Sequence, residues 1–304
     1  MTASTADAAA PTALRAPVEA HDVVAALAIF ESRRLLLNPL LLVGIASSLF
    51  LLFGTGWAAD SRYLLFTTGL GPLAAMTLLG LNLATLRPLR HRMEELYDSQ
   101  PAPPSQRTAG LLWAAVPPGV LAAALLAAGY AVEHANSGLA LWAPGYGEAP
   151  RGAIAALHEL SRTPSFPELA QGPLAVVVSG ALGVALARWL PHPRLAPFWL
   201  FVFLATELTL VSWNFTERPV HWFLPFTDAA VATRGAEWPC TAGQPCGFDR
   251  FAVDSAWWHL LYLAGLLAAL GAVALWRDRR GRGTATVGLI GVLVAALAGV
   301  LQLP

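Results

Sequence analysis

Apolar residues run along this chain in long unbroken stretches, and charged residues gather at the joints between them. Seven stretches reach the roughly 20 predominantly apolar residues that a helix needs to cross a hydrocarbon layer: residues 35–55, 63–86, 110–132, 172–190, 196–214, 256–276 and 284–303. Lipid offers no hydrogen bonds to backbone N–H and C=O groups, so each stretch is expected to be a helix. Trp57, Tyr63, Trp113, Tyr130, Trp189, Trp213, Trp257, Trp258 and Trp276 sit near the ends of these stretches, where amphipathic rings anchor at the interface. The expected fold is therefore all-α, a polytopic integral membrane helical bundle of about seven transmembrane helices, with one transmembrane domain over 35–304.

The connecting segments have patterns of their own. Residues 1–17 are small, polar and Pro-containing, with no basic region before an apolar run, and are expected as a disordered cytoplasmic tail rather than a signal peptide. Over 18–34, Val23, Leu27 and Phe30 recur at helical spacing, with Glu31, Arg33 and Arg34 following. That predicts an amphipathic interfacial helix, which Asn38-Pro39 turns into the first span. The loops 133–171 and 215–255 are long enough to hold local structure. In the first, Ile154, Leu157 and Leu160 predict a short helix; in the second, residues 221–226 are expected at headgroup level. Pro117-Pro118 before Gly119 predicts a kink in the third span, because neither proline can donate to the preceding turn.

Composition narrows the picture. The chain has 304 residues, 12% charged and 56% hydrophobic, with mean hydropathy +0.55. That is about half the charge of a soluble domain, too little to coat a water-exposed surface; disorder and a basic nucleic-acid binder are excluded on the same ground. All 19 cations are arginine, and with the alanine and leucine excess this reads as bacterial GC-rich coding. With the N-terminus in the cytoplasm, thirteen arginines fall on inner segments and six on outer ones, four of the inner set within Arg277–Arg282. The positive-inside rule thus places the chain in a bacterial cytoplasmic membrane, multi-pass, with the C-terminus outside.

Several residues carry candidate chemistry. Between the second and third spans, Leu89, Met93, Leu96 and Tyr97 share one helical face, while Arg90, Arg92, Glu94, Glu95 and Asp98 occupy the others. This predicts a short amphipathic helix over 87–99 that could dock a partner; a solvated positive-inside loop is the plainer account. Glu207 is the one acid within a span, where a charged carboxylate costs about 2.5–3.5 kcal/mol on insertion scales. It either faces a cavity or binds protons, or it is protonated and hydrogen-bonded to Asn82, Thr206 or Thr209. Cys240 and Cys246 lie in the second outer loop, and a disulfide between them is favoured over free thiols in an oxidising location. No histidine has metal-ligand spacing, and with no lysine a standard phosphate-cradling loop is impossible, so no cofactor is expected in this chain.

The order of features resembles the membrane subunits of bacterial ABC-type exporters, particularly actinobacterial permeases. The residues that carry it are Glu31-Ser32-Arg33-Arg34-Leu35 with Asn38-Pro39-Leu40, and Glu94-Glu95-Leu96-Tyr97 followed by Pro101 and Arg107-Thr108-Ala109. Residues 183–191 and Trp258-His259-Leu260-Leu261-Tyr262-Leu263 add to it. The resemblance implies a non-enzymatic permease subunit that moves a substrate across the membrane. A second permease subunit and a separate cytoplasmic ATPase, which binds the ATP, would be its partners. Arg90, Arg92, Glu94, Glu95, Leu96 and Tyr97, with the helix before the first span, would form the coupling surface. Such exporters have a six-span core, so the seventh span would be an appendage. The alternative is a non-transporting assembly or sensor protein that acts through its outer loops. A remoter one is an intramembrane serine protease, which Val177-Val178-Ser179-Gly180 with His259 resembles; as plain structure, Ser179, Gly180 and Gly183 let helices approach closely.

Overall fold

The computed structural model describes residues 20–53, 69–92, 95, 102–137, 166–192, 195–212, 236–241, 244–248 and 253–302. The fold is helical. In chain order the helices are α1 (Ala20–Leu36), α2 (Pro39–Phe53), α3 (Gly71–Thr85), α4 (Arg87–Arg90), α5 (Pro104–Trp113), α6 (Val116–Ser137), α7 (Phe166–Trp189), α8 (Leu195–Ser212), α9 (Val253–Trp276) and α10 (Arg282–Leu301). Every one of the seven apolar stretches contains a helix. Among the described residues, four helices are long and apolar enough to cross a membrane: Pro104–Val132, Leu169–Trp189, Ala256–Trp276 and Arg282–Leu301. The pair His21–Leu36 and Pro39–Phe53, bent by 63°, makes a fifth if counted as one span. At 15 residues each, α2 and α3 are shorter. The chain is a membrane-embedded helical bundle.

Local chemistry explains the helix boundaries. Asn38 caps α2 by accepting the Leu40 N–H at 3.0 Å, and Pro39 fits the first helical position, whose N–H has no partner anyway. Pro104 plays the same part for α5, which contains Arg107. The break expected in the third span falls at Ala114–Ala115, just before Val116. Pro117 and Pro118 cannot donate to the carbonyls one turn earlier, so the irregular turn precedes them.

Packing centres on α3 and α7. Residues are buried all round α3, including Leu73, Leu78, Leu81 and Asn82, which marks an interior helix. Gly172 lies against Leu70, and Gly183 against Leu78, so the two helices run in the same direction. Gln171 donates to the Ala256 carbonyl at 3.4 Å, and Trp189 Nε1 to that of Val273 at 2.8 Å; α9 therefore runs parallel to both. The antiparallel neighbours fill in around this trio. On α2, Ser48 Oγ accepts the Leu73 N–H at 3.3 Å, and on α6, Gly119 sits against Val177 and Pro173.

α10 lies at the periphery of the bundle. Only 22% of its span is buried, against 61% for Leu169–Trp189, and Leu289, Leu293, Leu297 and Val300 face outward. Among the described residues it packs on α9, met backbone to backbone: a Cβ on Gly265 would lie 2.5 Å from the Ala295 nitrogen, and one on Gly291 2.6 Å from the Ala269 nitrogen. Close approach through small residues spaced four apart is how helices associate where lipid is as apolar as leucine.

On α1, Phe30, read with Val23 and Leu27 as the apolar face of an interfacial helix, is 58% exposed on the outside of the bundle. The inward face is Leu27, Glu31 and Leu35, because Gly110 of α5 accepts Leu27 and Gly80 of α3 accepts Leu35. The second long loop contains a two-stranded antiparallel hairpin, β1 (Ala236–Thr241) and β2 (Gln244–Phe248), with Trp238 opposite Cys246 and an irregularity between Pro239 and Thr241 where Cys240 falls. The side chains of Cys240 and Cys246 lie outside the described residues, as do the tail over 1–17, the short helix expected around Leu157 and the segment 221–226.

Two glycines of α9 give a direct test. Gly265→Ala is expected to cost about 1–3 kcal/mol through overpacking, read as a lower thermal midpoint in detergent. At Gly271 a Cβ would meet only Leu112, at 3.9 Å, so Gly271→Ala should be neutral or stabilise by up to about 1 kcal/mol. Equal effects at both positions would contradict the packing described.

Candidate functional site

The polar side chains of the described residues collect in three places. The first is the end of the bundle where the parallel trio α3, α7 and α9 terminates. Each of these helices ends on arginine, with Arg87 following α3, Arg188 in the last turn of α7 and Arg277 following α9. Helix C-termini carry partial negative charge from unpaired carbonyls, so three of them side by side favour cations there.

Two of these arginines tie distant segments together. Both carboxylate oxygens of Glu31 on α1 accept from Arg87 Nη1 at 3.2 Å, with the side chains 15% and 18% exposed. Arg188 donates through Nε to Thr108 Oγ1 at 2.8 Å, and through Nη2 to Thr108, to Asp278 and to the Pro104 carbonyl. Thr108 in turn donates to Asp278 Oδ2. Thr108 is fully buried and the Asp278 side chain 8% exposed, so the carboxylate depends on this one guanidinium and hydroxyl for compensation. The planar fork of arginine reaches both partners at once, which an ammonium could not do. Beside it, Arg277 stacks over the Trp189 ring at 5.9 Å. Sequence reasoning did not identify Arg188, Thr108, Asp278 or Glu31 as a group. The available signal was Asp278 itself, a lone acid inside the Arg277–Arg282 run.

The expected docking helix over 87–99 is interrupted. α4 is a single turn from Arg87 to Arg90, and Arg92 has φ 53°, a left-handed conformation that ends a helix. Arg90, Arg92 and Glu95 are exposed; Met93, Glu94, Leu96 and Tyr97 lie outside the described residues.

The second place is the seam between α3 and α7. Asn82 Nδ2 donates to the Gly183 carbonyl at 3.0 Å, across a contact so close that a Cβ on Gly183 would lie 2.3 Å from the Leu78 oxygen. Asn82 Oδ1 and Ser179 Oγ, both buried, have no hydrogen-bond partner among the described residues. Thr77 and Thr85 bond back to the carbonyls of Leu73 and Leu81. Glu207 lies on α8, which packs against α3, but its side chain is outside the described residues.

The third place is the opposite end of the trio. There His259, fully buried, shares a hydrogen bond of 3.0 Å between Nδ1 and Gln302 Oε1, and its ring lies 5.6 Å from that of Tyr262. With Ser179 unpartnered and His259 joined to Gln302, the structure does not bring the two together as a nucleophile and base. Among the described residues no group of histidine, cysteine or acid side chains could hold a metal ion.

No family model, curated protein or solved structure matches this chain.

Removing Arg188 leaves the Asp278 charge in a site built around it. Arg188→Ala is expected to cost about 2–3 kcal/mol, less than the ~3–5 kcal/mol of breaking a fully buried pair because the guanidinium is partly exposed. The double variant with Asp278→Ala should cost clearly less than the sum of the single changes in a thermal-unfolding cycle. Additive effects would mean that the two groups are not coupled.

Proposed function

We propose that this chain is the membrane-spanning permease subunit of an ABC-type exporter. In this reading the arginine-rich end faces the cytoplasm of a bacterial cell, the chain pairs with a second permease subunit, and a separate cytoplasmic ATPase supplies the energy. The observation that carries the reading is the Glu31–Arg87 pair. The two elements to which the resemblance assigns coupling, the helix before the first span and the connection after the second, are joined by it. Force applied at the exposed Arg90, Arg92 and Glu95 would have a continuous route inward.

That route can be traced through contacts. Arg87 passes load to α1 through Glu31, and α1 bears on α5 where Leu27 meets Gly110. The same connection continues α3, which is pinned to α7 by Asn82 and Gly183. α7 reaches α9 and α5 through Arg188, Asp278 and Thr108. A push at one surface would therefore shift three parallel helices together rather than bend one. The peripheral position of α10 agrees with an appendage to a six-span core, because its removal would leave the trio intact.

The reading makes two expectations measurable. An ATPase should co-purify in mild detergent, with turnover that rises when this subunit is present. Reversing Glu94 and Glu95 to arginine should lower that stimulation about tenfold, the factor that ~1.4 kcal/mol represents, while the protein stays folded. Glu31→Arg or Arg87→Glu alone should lower it similarly, and the double exchange should restore most of it. Full stimulation in all these variants, or no ATPase partner, would remove the proposal. Separately, cysteine labelling of residues 101–108 in intact cells should fail from outside, and labelling there would invert the orientation.

A further inference from the structure

A cleft of about 1120 Å³ opens at the arginine-rich end, between α1, the α5–α6 junction and the α9–α10 turn. Its walls are apolar, with Val24, Ile29 and Leu36 on one side and Trp113, Val116 and Leu275 on the other. Two guanidiniums, Arg33 from α1 and Arg279 from the α9–α10 turn, belong to its lining, and among the described residues no aspartate or glutamate does. Neither arginine forms an ion pair or side-chain hydrogen bond among the described residues. Two half-buried arginines of this end, Arg87 and Arg188, are committed to Glu31 and Asp278.

We propose that this cleft binds an acidic phospholipid, its phosphate held by Arg33 and Arg279 and its acyl chains lying along Ile29, Leu36, Trp113 and Val116. The inference is independent of the exporter reading. Three observations select this occupant. The volume exceeds the roughly 300–1,000 Å³ of ordinary small-molecule pockets, and the long apolar wall calls for chains rather than a compact polar solute. Among the described residues neither Arg33 nor Arg279 has a counter-charge, so an anion completes the pair, and arginine matches phosphate with paired donors. The position is also the one a lipid occupies: Trp113, 62% exposed, marks the interfacial depth at which aromatic rings settle. Basic pockets between helices near the membrane surface are a recognised way of holding acidic headgroups. The occupant would fasten α1, a helix held to the bundle mainly through α5, to the α9–α10 turn across the cleft.

Native mass spectrometry of the purified full chain in mild detergent tests this, with phosphatidylglycerol and phosphatidylcholine offered in turn. Phosphatidylglycerol is expected to remain bound and phosphatidylcholine to be lost. Arg33→Ala combined with Arg279→Ala should weaken retention about tenfold or more, as the loss of two guanidinium–phosphate contacts predicts. Arg280→Ala, an exposed neighbour outside the cleft, should not. Ala25→Trp keeps both arginines but fills the apolar part, and it should also block retention, with an unchanged thermal midpoint showing that the fold survives. Equal retention of the two lipids, equal loss in the Arg280 variant, or displacement by millimolar inorganic phosphate alone would each overturn the proposal. So would a lipid-free cleft that a second copy of the chain occupies.

Discussion

The close approach of α3 to α7 is the contact on which the bundle depends. In lipid, apolar side chains gain little by leaving one hydrocarbon surface for another, so helices must associate through van der Waals fit and backbone proximity. Gly183 supplies that proximity, set against the Leu78 carbonyl with no room for a side chain. Gly180, between Ala115, Leu81 and Thr77, brings α5 and α6 into the same contact. Asn82 then spans the seam to the Gly183 carbonyl. A helix that is buried on every side, like α3, can be so only because its neighbours come this near.

The two ends of the bundle solve different problems. At one end, three parallel C-termini present carbonyl charge that Arg87, Arg188 and the Arg277 region offset. Two of these cations are also locked to acids, so dipole compensation and cross-linking of segments come from the same side chains. At the other end, neutral groups suffice: Gln171, His259 and Gln302 join α7 to α9 and α9 to α10. Among the described residues the ion pairs with Arg87 and Arg188 thus lie at the end where α1 and the loop after α3 also meet.

Much of the helical architecture was legible in the chain. Long apolar runs, Asn38-Pro39 and Pro117-Pro118 fix helices, a start and a break through local chemistry, and the structure follows each. The glycines of α7 were readable as packing residues for the same reason. The clamp was not. Arg188 and Asp278 are 90 residues apart, and nothing in the spacing of either tells which helices will lie side by side. Which face of α1 turns toward the bundle was not legible for a related reason: α1 has apolar residues on more than one face, and the choice depends on Gly80 and Gly110 in other helices. The side chains of Glu207, Cys240 and Cys246 fall outside the described residues, so their roles rest on sequence alone.

Parallel neighbours impose an order of construction. Because α7 and α9 point the same way, the chain must return along the bundle between them before α9 can begin. Thr108 and Arg188 leave the ribosome long before Asp278 does. Until residue 278 emerges, the guanidinium and the hydroxyl lack the carboxylate that joins them in the finished fold. Completion of this clamp is therefore a late event in biosynthesis.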